Sequence, residues 1–291
     1  MTKMVAAVND LSGFGKCSLS AALPILSVLG VQAVPLPTAI LTNQTGFDSY
    51  FIDDYTDKID TYIEHWQKIN PVFDGIYTGF LANEAQVNKI LKFIDSFKNE
   101  DTLLLVDPVM GDNGSIYSAY TPELCNKMKL LVSKADVITP NLTEACLLAE
   151  RDFFEITFEK SSSKYLDLIQ ELGNDILENC LLNNRKTIII TGIEHKNRLY
   201  NAVITKEGIF HTSSDIYGIG YSGTGDIFAS IICGYLVQDL SVENAVVKAT
   251  KFIEESVKDS FNQGIARNYG VNFEKYLYLL LEDLNYGKIK I

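Results

Sequence analysis

The sequence predicts an α/β fold, a three-layer α/β/α sandwich with a mostly parallel central sheet, on three observations. Apolar, β-branched runs alternate with longer helical stretches along most of the 291 residues, the pattern of strands joined by crossover helices. The run Leu103-Leu104-Leu105-Val106 is apolar at every position, as in a strand buried on both faces. No internal repeat, low-complexity stretch or change of composition marks a linker, so one domain over residues 1–291 is expected.

Residues 4–8 form the first expected strand. A glycine-rich turn at 13–15 leads into a helix over 18–29, stopped by Gly30 and kinked or broken at Pro24. Pro35 and Pro37 exclude helix from 34–41, which reads as an irregular or edge strand. Ile59, Tyr62, Ile63 and Trp66 share one face of a helix over 56–69. A short strand over 73–78 and a helix over 83–98 capped at its first residue follow, and the strand over 102–109 places Asp107 at its carboxyl end. Thr121 and Pro122 suit the cap and first residue of a helix, after which come a strand at 136–139 and a helix from Asn141.

Residues 161–182 are expected as helix with a break at Gly173, and 186–191 as a second β-branched core strand. The alternation lapses at a hairpin of 199–205 and 209–212 around Glu207-Gly208. The helix over 227–236 is apolar nearly all round and should be buried. Val242, Ala245, Val246, Ala249, Ile253 and Val257 line one face of a helix over 241–260, and Phe273, Leu277, Leu280 and Leu284 do so for a C-terminal helix.

Composition narrows the function. With 37 Asp+Glu against 25 Lys+Arg the net charge is -12, and no basic patch interrupts it, which excludes nucleic acid and anionic membrane surfaces as partners. Neither an apolar stretch long enough to span a bilayer nor a signal-peptide core occurs, so a soluble cytoplasmic protein is expected. Five widely spaced cysteines without a Cys-x-x-Cys pair point to reduced thiols.

Gly218 to Gly223 matches G-x-G-x-x-G but follows a hairpin and a loop, the wrong context for a dinucleotide site, and no GxxxxGK[ST] string is present. The three histidines, His65, His195 and His211, pair with no acid or cysteine at triad or metal spacing. Gly223-Thr224-Gly225-Asp226 precedes the buried helix. There converging backbone amides build an anion hole, and a carboxylate beside it suits a base that takes a proton from an attacking hydroxyl. A plain glycine turn with an aspartate cap fits the same string. Asn141-Leu142-Thr143-Glu144 has capping-box spacing, and Glu144 equally suits a water-mediated Mg²⁺ ligand. Asp107 and Asp112 stand beyond another strand end, on the rim where open α/β sheets bind ligands.

The ordered set of Thr42 to Phe47, Asp107 to Asp112, Thr139-Pro140-Asn141 with Glu144, and Gly223 to Asp226 resembles pyridoxal kinases of the ribokinase-like superfamily. The resemblance implies a homodimer that transfers the γ-phosphoryl of Mg-ATP to the 5′-hydroxymethyl group of a B6 vitamer. Asp226 would be the base, and Gly223, Thr224 and Gly225 would cradle the phosphoryl group. Asp112 and Glu144 would hold Mg²⁺ directly or through water, and Asp107, Thr139, Asn141 and Thr191 would contact ATP phosphates or K⁺. Tyr117 would lie over the nucleotide, and Thr45 would touch the pyridine ring. Two substrate-side positions differ from the pattern: Asp10 stands where serine is usual, and Phe80 where tyrosine is common. Asp10 suits an amine-bearing vitamer. Its loop, Asp10 to Gly15, also resembles that of hydroxymethylpyrimidine kinases, the alternative substrate class. A vitamer- or nucleotide-binding protein without catalysis on the same fold is the remaining alternative.

Overall fold

The computed structural model describes residues 2–281 except 118–119, 181–185 and 219. Its elements run β1 (Met4–Ser12), α1 (Ser18–Val28), β2 (Gln32–Leu41), β3 (Ile52–Asp54), α2 (Thr56–Ile69), β4 (Gly75–Thr78), α3 (Glu84–Phe97) and β5 (Leu103–Val106). Then come a small hairpin of β6 (Gly111–Asp112) and β7 (Ser115–Ile116), α4 (Pro122–Lys134), β8 (Val137–Ile138), α5 (Leu142–Ala149), α6 (Phe153–Phe158) and α7 (Tyr165–Asn179). The chain continues with β9 (Thr187–His195), β10 (Arg198–Thr205), β11 (Gly208–Asp215), α8 (Thr224–Leu236) and α9 (Val242–Asn262), and two 3-10 helices, Arg267–Tyr269 and Phe273–Leu280.

Nine strands form one sheet in the order β11-β10-β9-β8-β5-β4-β1-β2-β3. From β9 to β2 all neighbours are parallel, while β3, β10 and β11 pair antiparallel at the two edges. Side chains alternate between two cores, as pleating requires. Ala6, Val8, Leu104, Val106, Ile188 and Ile190 face α2, α3, α4, α5 and α7. Val5, Ala7, Leu105 and Ile189 face α1, α8 and α9. The α/β/α layering is as the alternation predicted.

Chain order reverses between β1 and β4, which opens a crevice at the carboxyl ends of these strands. Beside it the β1/β2 register slips between Asn9 and Leu11, because β2 gains an extra residue just past Pro37. Pro35 and Pro37 lie in β2 where β3, which covers only Ala39 to Leu41, leaves its outer side unpaired.

Several expectations are corrected. α8 starts at Thr224, so Gly225 and Asp226 lie inside its first turn rather than before it. α7 runs unbroken through Gly173, where the missing side chain lets the helix lie against Ile204. Residues 273–280 form a 3-10 helix that buries Phe273 and Leu280, not an α-helix. α1 accommodates Pro24 without interruption. β9 continues to His195 and turns into β10 through Lys196 and Asn197, both left-handed. Leu182, Ile219 and Leu284 lie outside the described residues. Among the described residues no helix is long and apolar enough to cross a membrane.

Candidate active site

β1 carries Asn9 and Asp10 to the crevice, and both are buried. The Asn9 side-chain carbonyl accepts hydrogen bonds from the Asp10 and Phe80 amides, each at 2.9 Å. Its Nδ2 donates to Asp226 Oδ1 at 3.0 Å. Gly79 passes so close that a Cβ there would collide with the Asn9 side chain. The Tyr77 hydroxyl reaches the same Asp226 oxygen at 3.5 Å.

Asp226 thus stands where the N-termini of α1 and α8 meet. That meeting depends on Gly223, whose φ is 83° and whose Cβ would collide with the Lys16 carbonyl oxygen. No atom lies within 4 Å of where a Gly225 Cβ would be, so one side of the turn is open. The Thr224 hydroxyl donates to the Tyr221 carbonyl at 3.1 Å. The first amides of α8 have no acceptor within the helix, which leaves donors and positive potential beside Asp226. Burial pushes the Asp226 carboxyl up to about 6; the Ser18 amide opposes this and the Asp10 charge adds to it.

A second group of polar side chains lines the ends of β5 and β8 and the middle of β9. Asp107 follows β5 and accepts from Thr139 Oγ1 at 2.8 Å; burial and the Asp226 charge raise its carboxyl. The Asn141–Glu144 capping box forms in full. It does more than start α5, because Glu144 Oε1 also accepts the Met110 amide at 3.0 Å and Asn141 Nδ2 donates to the Gly111 carbonyl at 2.8 Å. The box therefore moors the β6–β7 hairpin. Burial and then Asp107 push Glu144 upward. Asp112, beside the hairpin's turn, is half-exposed and meets Arg267 Nη2 at 3.3 Å. Thr191 bridges to Asn141 and donates its amide to the Pro140 carbonyl at 2.9 Å.

The sequence profile of the phosphomethylpyrimidine kinase family matches residues 17–272. The chain belongs to that family. The kinase is 34% identical to a Bacteroides thetaiotaomicron protein provisionally named a phosphomethylpyrimidine kinase, over 96% of this chain and 94% of that one, with a TM-score of 0.88. A second crystal form of that protein contains pyridoxal. Pyridoxal kinase from Lactobacillus plantarum superposes with a TM-score of 0.85 at 25% identity, over 97% of both chains. Pyridoxal kinase of Dictyostelium discoideum is 24% identical over 91% of this chain and 87% of its own. The ribokinase-like fold and ATP-dependent kinase class expected from the motifs both hold.

The structure gathers Asp10, Asp107, Gly223, Thr224, Gly225 and Asp226 at the crevice, and Asp112, Thr139, Asn141, Glu144 and Thr191 along the neighbouring strand ends. Tyr117 follows the β6–β7 hairpin and is 44% exposed. Thr45 is exposed in the loop after β2, which is tied down by Gln44 Nε2 donating to the Asn268 carbonyl at 3.1 Å. Phe80 is partly buried, and its carbonyl accepts from Thr38 at 2.8 Å. Asn9 and Tyr77 of the kinase went unread. An asparagine beside Asp10 at the end of an apolar strand was the one available signal, since Tyr77 reads as core.

Proposed function

We propose that the kinase transfers the γ-phosphoryl group of ATP to the 5′-hydroxymethyl group of a B6 vitamer (pyridoxal, pyridoxamine or pyridoxine), with Asp226 as the base. The observation that carries this reading is the place of Asp226, a carboxylate held by Asn9 and Tyr77 beside the open first turn of α8. From there it takes the hydroxyl proton as the oxygen moves onto phosphorus, while the backbone of Gly223, Thr224 and Gly225 receives the equatorial oxygens. A loose phosphoryl-transfer transition state asks for little beyond such positioning and electrostatics. The vitamer assignment is supported by the pyridoxal in the Bacteroides relative and by the pyridoxal kinases among the similar proteins.

Mg²⁺ fits the second group. Its donors are hard oxygens, and the crowding of Asp107 with Asp226 and Glu144 is the kind a cation relieves. Asp112 would hold it directly or through water, and Glu144 through water, since both its oxygens already accept backbone amides. Bound there, the ion supplies charge neutralisation on the phosphates. Asp107, Thr139, Asn141 and Thr191 would line the ATP phosphates or a K⁺ ion, Tyr117 would cover the nucleotide, and Asp10, Thr45 and Phe80 would face the ring. Residues 1–291 would act as one kinase domain in a cytoplasmic homodimer.

Phosphorylation of a hydroxymethylpyrimidine or its phosphate is the second reading, favoured by the buried carboxylate of Asp10, which suits a ring amine. ADP release from Mg-ATP with each B6 vitamer and with hydroxymethylpyrimidine, beside Asp226→Ala, decides between them. Turnover on a vitamer that vanishes in the variant is expected. Turnover on the pyrimidine alone moves the kinase to the second reading, and turnover on none leaves a binding protein.

A further inference from the structure

Phosphoryl transfer brings a strongly anionic triphosphate to a crevice whose side chains include Asp10, Asp107, Asp112, Glu144 and Asp226, in a chain of net charge -12. A single divalent cation leaves part of that charge uncompensated, so a fixed protein cation beside the transferred group has a use. Lys16 and Arg267 both lay their backbone against the Gly223 turn. Lys16 is spent elsewhere, with its Nζ on Glu274 at 2.9 Å and on Asn272 at 3.2 Å. Arg267 is, among the described residues, the cation paired with an acid of the site.

Backbone and side chain of Arg267 reach opposite sides of the gap. Its carbonyl accepts the Ser222 amide at 3.2 Å, one residue before the Gly223–Gly225 turn, while Nη2 meets Asp112 Oδ2 at 3.3 Å on the β6–β7 hairpin. One side chain thus spans the space between the glycine turn and the nucleotide-side acids, which a triphosphate held by both must cross. The backbone beneath it is fixed. Asn268 Nδ2 donates to the Gly46 carbonyl, the Asn268 carbonyl accepts from Gln44 Nε2 at 3.1 Å, and the Tyr269 ring meets those of Phe14 and Phe47. The guanidinium is free to move. Its pair with Asp112 is half-exposed on both sides, a kind that adds little to stability, and its remaining N–H groups have no acceptor among the described residues. Asp112 is not orphaned by its departure, because the Asn113 amide and side chain each donate to it at 2.9 Å.

We propose that Arg267 is a further catalytic residue, whose guanidinium leaves Asp112 for the γ-phosphoryl group of bound ATP and neutralises its oxygens during transfer. The inference rests on the kinase reading given above, in which Gly223 to Gly225 receive that group. Arginine suits the task, since its planar fork of donors matches phosphate and stays charged at every working pH. Because its backbone is tied to the glycine turn, Arg267 serves the group that the turn receives, and ADP, which lacks that group, gains nothing from it.

Calorimetric titration of the full chain with Mg-ATP and with Mg-ADP tests this without turnover. Arg267→Gln should weaken Mg-ATP binding by about ten- to a hundredfold, the effect of a hydrogen bond between charged groups, and leave Mg-ADP within about twofold. The Tm of the free protein should hold, and Arg267→Lys, which keeps the charge without the fork, should fall between. Equal losses for the two nucleotides would make Arg267 a latch for the hairpin and overturn the proposal, as would unchanged binding of both. Wild type that binds neither nucleotide overturns the kinase reading as well, so the two failures are distinct. With whichever acceptor wild type turns over best, kcat in Arg267→Gln should drop while the acceptor KM holds. A loss confined to the acceptor KM puts Arg267 on the substrate side and overturns the assignment.

Discussion

Asp226 combines two properties that oppose each other, and each gives a measurable effect. As the proposed base it must be ionised, and burial holds its carboxyl near 6, so kcat/KM should fall about tenfold per pH unit below about pH 6. A profile flat down to pH 5 would remove it from that role. Asp226→Asn keeps the shape but cannot take the proton, and about 10² to 10⁴-fold of kcat should go with it while ATP still binds. The same substitution should raise Tm. A carboxyl whose folded pKa lies above its unfolded value favours the protonated form on folding, so the ionised group is a stability deficit that grows as pH rises from about 4 to 6 and persists above. The asparagine removes that deficit at pH 7. Thermal scans at pH 7 and pH 4 check it: the gain should be present at the first and absent at the second.

Helix starts decide the element scale, because three of them converge on the site. Gly223→Ala would put a methyl group onto the Lys16 carbonyl and a side chain at a φ of 83°, so it should cost at least about 1–3 kcal/mol and splay α1 from α8. Denaturant unfolding measures the loss, and activity should fall further than stability does. Asn141→Ala removes the α5 cap at about 1 kcal/mol and also frees the Gly111 carbonyl, so KM for ATP should rise while the vitamer KM holds. These starts were unevenly legible in the sequence. Asn83, Thr121 and Asn141 cap their helices as their side chains predict. Gly223 caps α8 through backbone freedom alone, so a periodicity argument placed that start at Ile227, and the 3-10 helix at Phe273–Leu280 has apolar spacing that also suits an α-helix. The acids at strand ends were legible because polar residues ending apolar strands stand out. The Asn9–Tyr77 cradle was not, because it exists only once β1, β4 and α8 are adjacent.

At the scale of the whole molecule, the crevice is where the two halves of the sheet diverge, so ligands there brace elements far apart in sequence. The loop after β1, the loop after β2 and the Arg267–Tyr269 turn meet in a cluster of Phe14, Phe47 and Tyr269, with ring centroids 5.4 to 5.7 Å apart. On the other flank the β6–β7 hairpin reaches the same turn through Asp112 and Arg267. A ligand at about 100 times its Kd adds about 2.7 kcal/mol to folding, which at roughly 2 °C per kcal/mol for a chain of this size raises Tm by about 5 °C. Mg-ATP should give such a shift, and a vitamer with Mg-ATP should exceed either alone, because both halves are then braced. EDTA tests which side the acids serve. On the proposed reading, withdrawing the cation would leave Asp107, Asp112 and Glu144 facing the phosphates as bare carboxylates, so the ATP shift should collapse while the vitamer shift, assigned to Asp10 and the β2 loop, survives. An ATP shift that EDTA leaves intact would mean that these acids do not hold Mg²⁺ for the nucleotide.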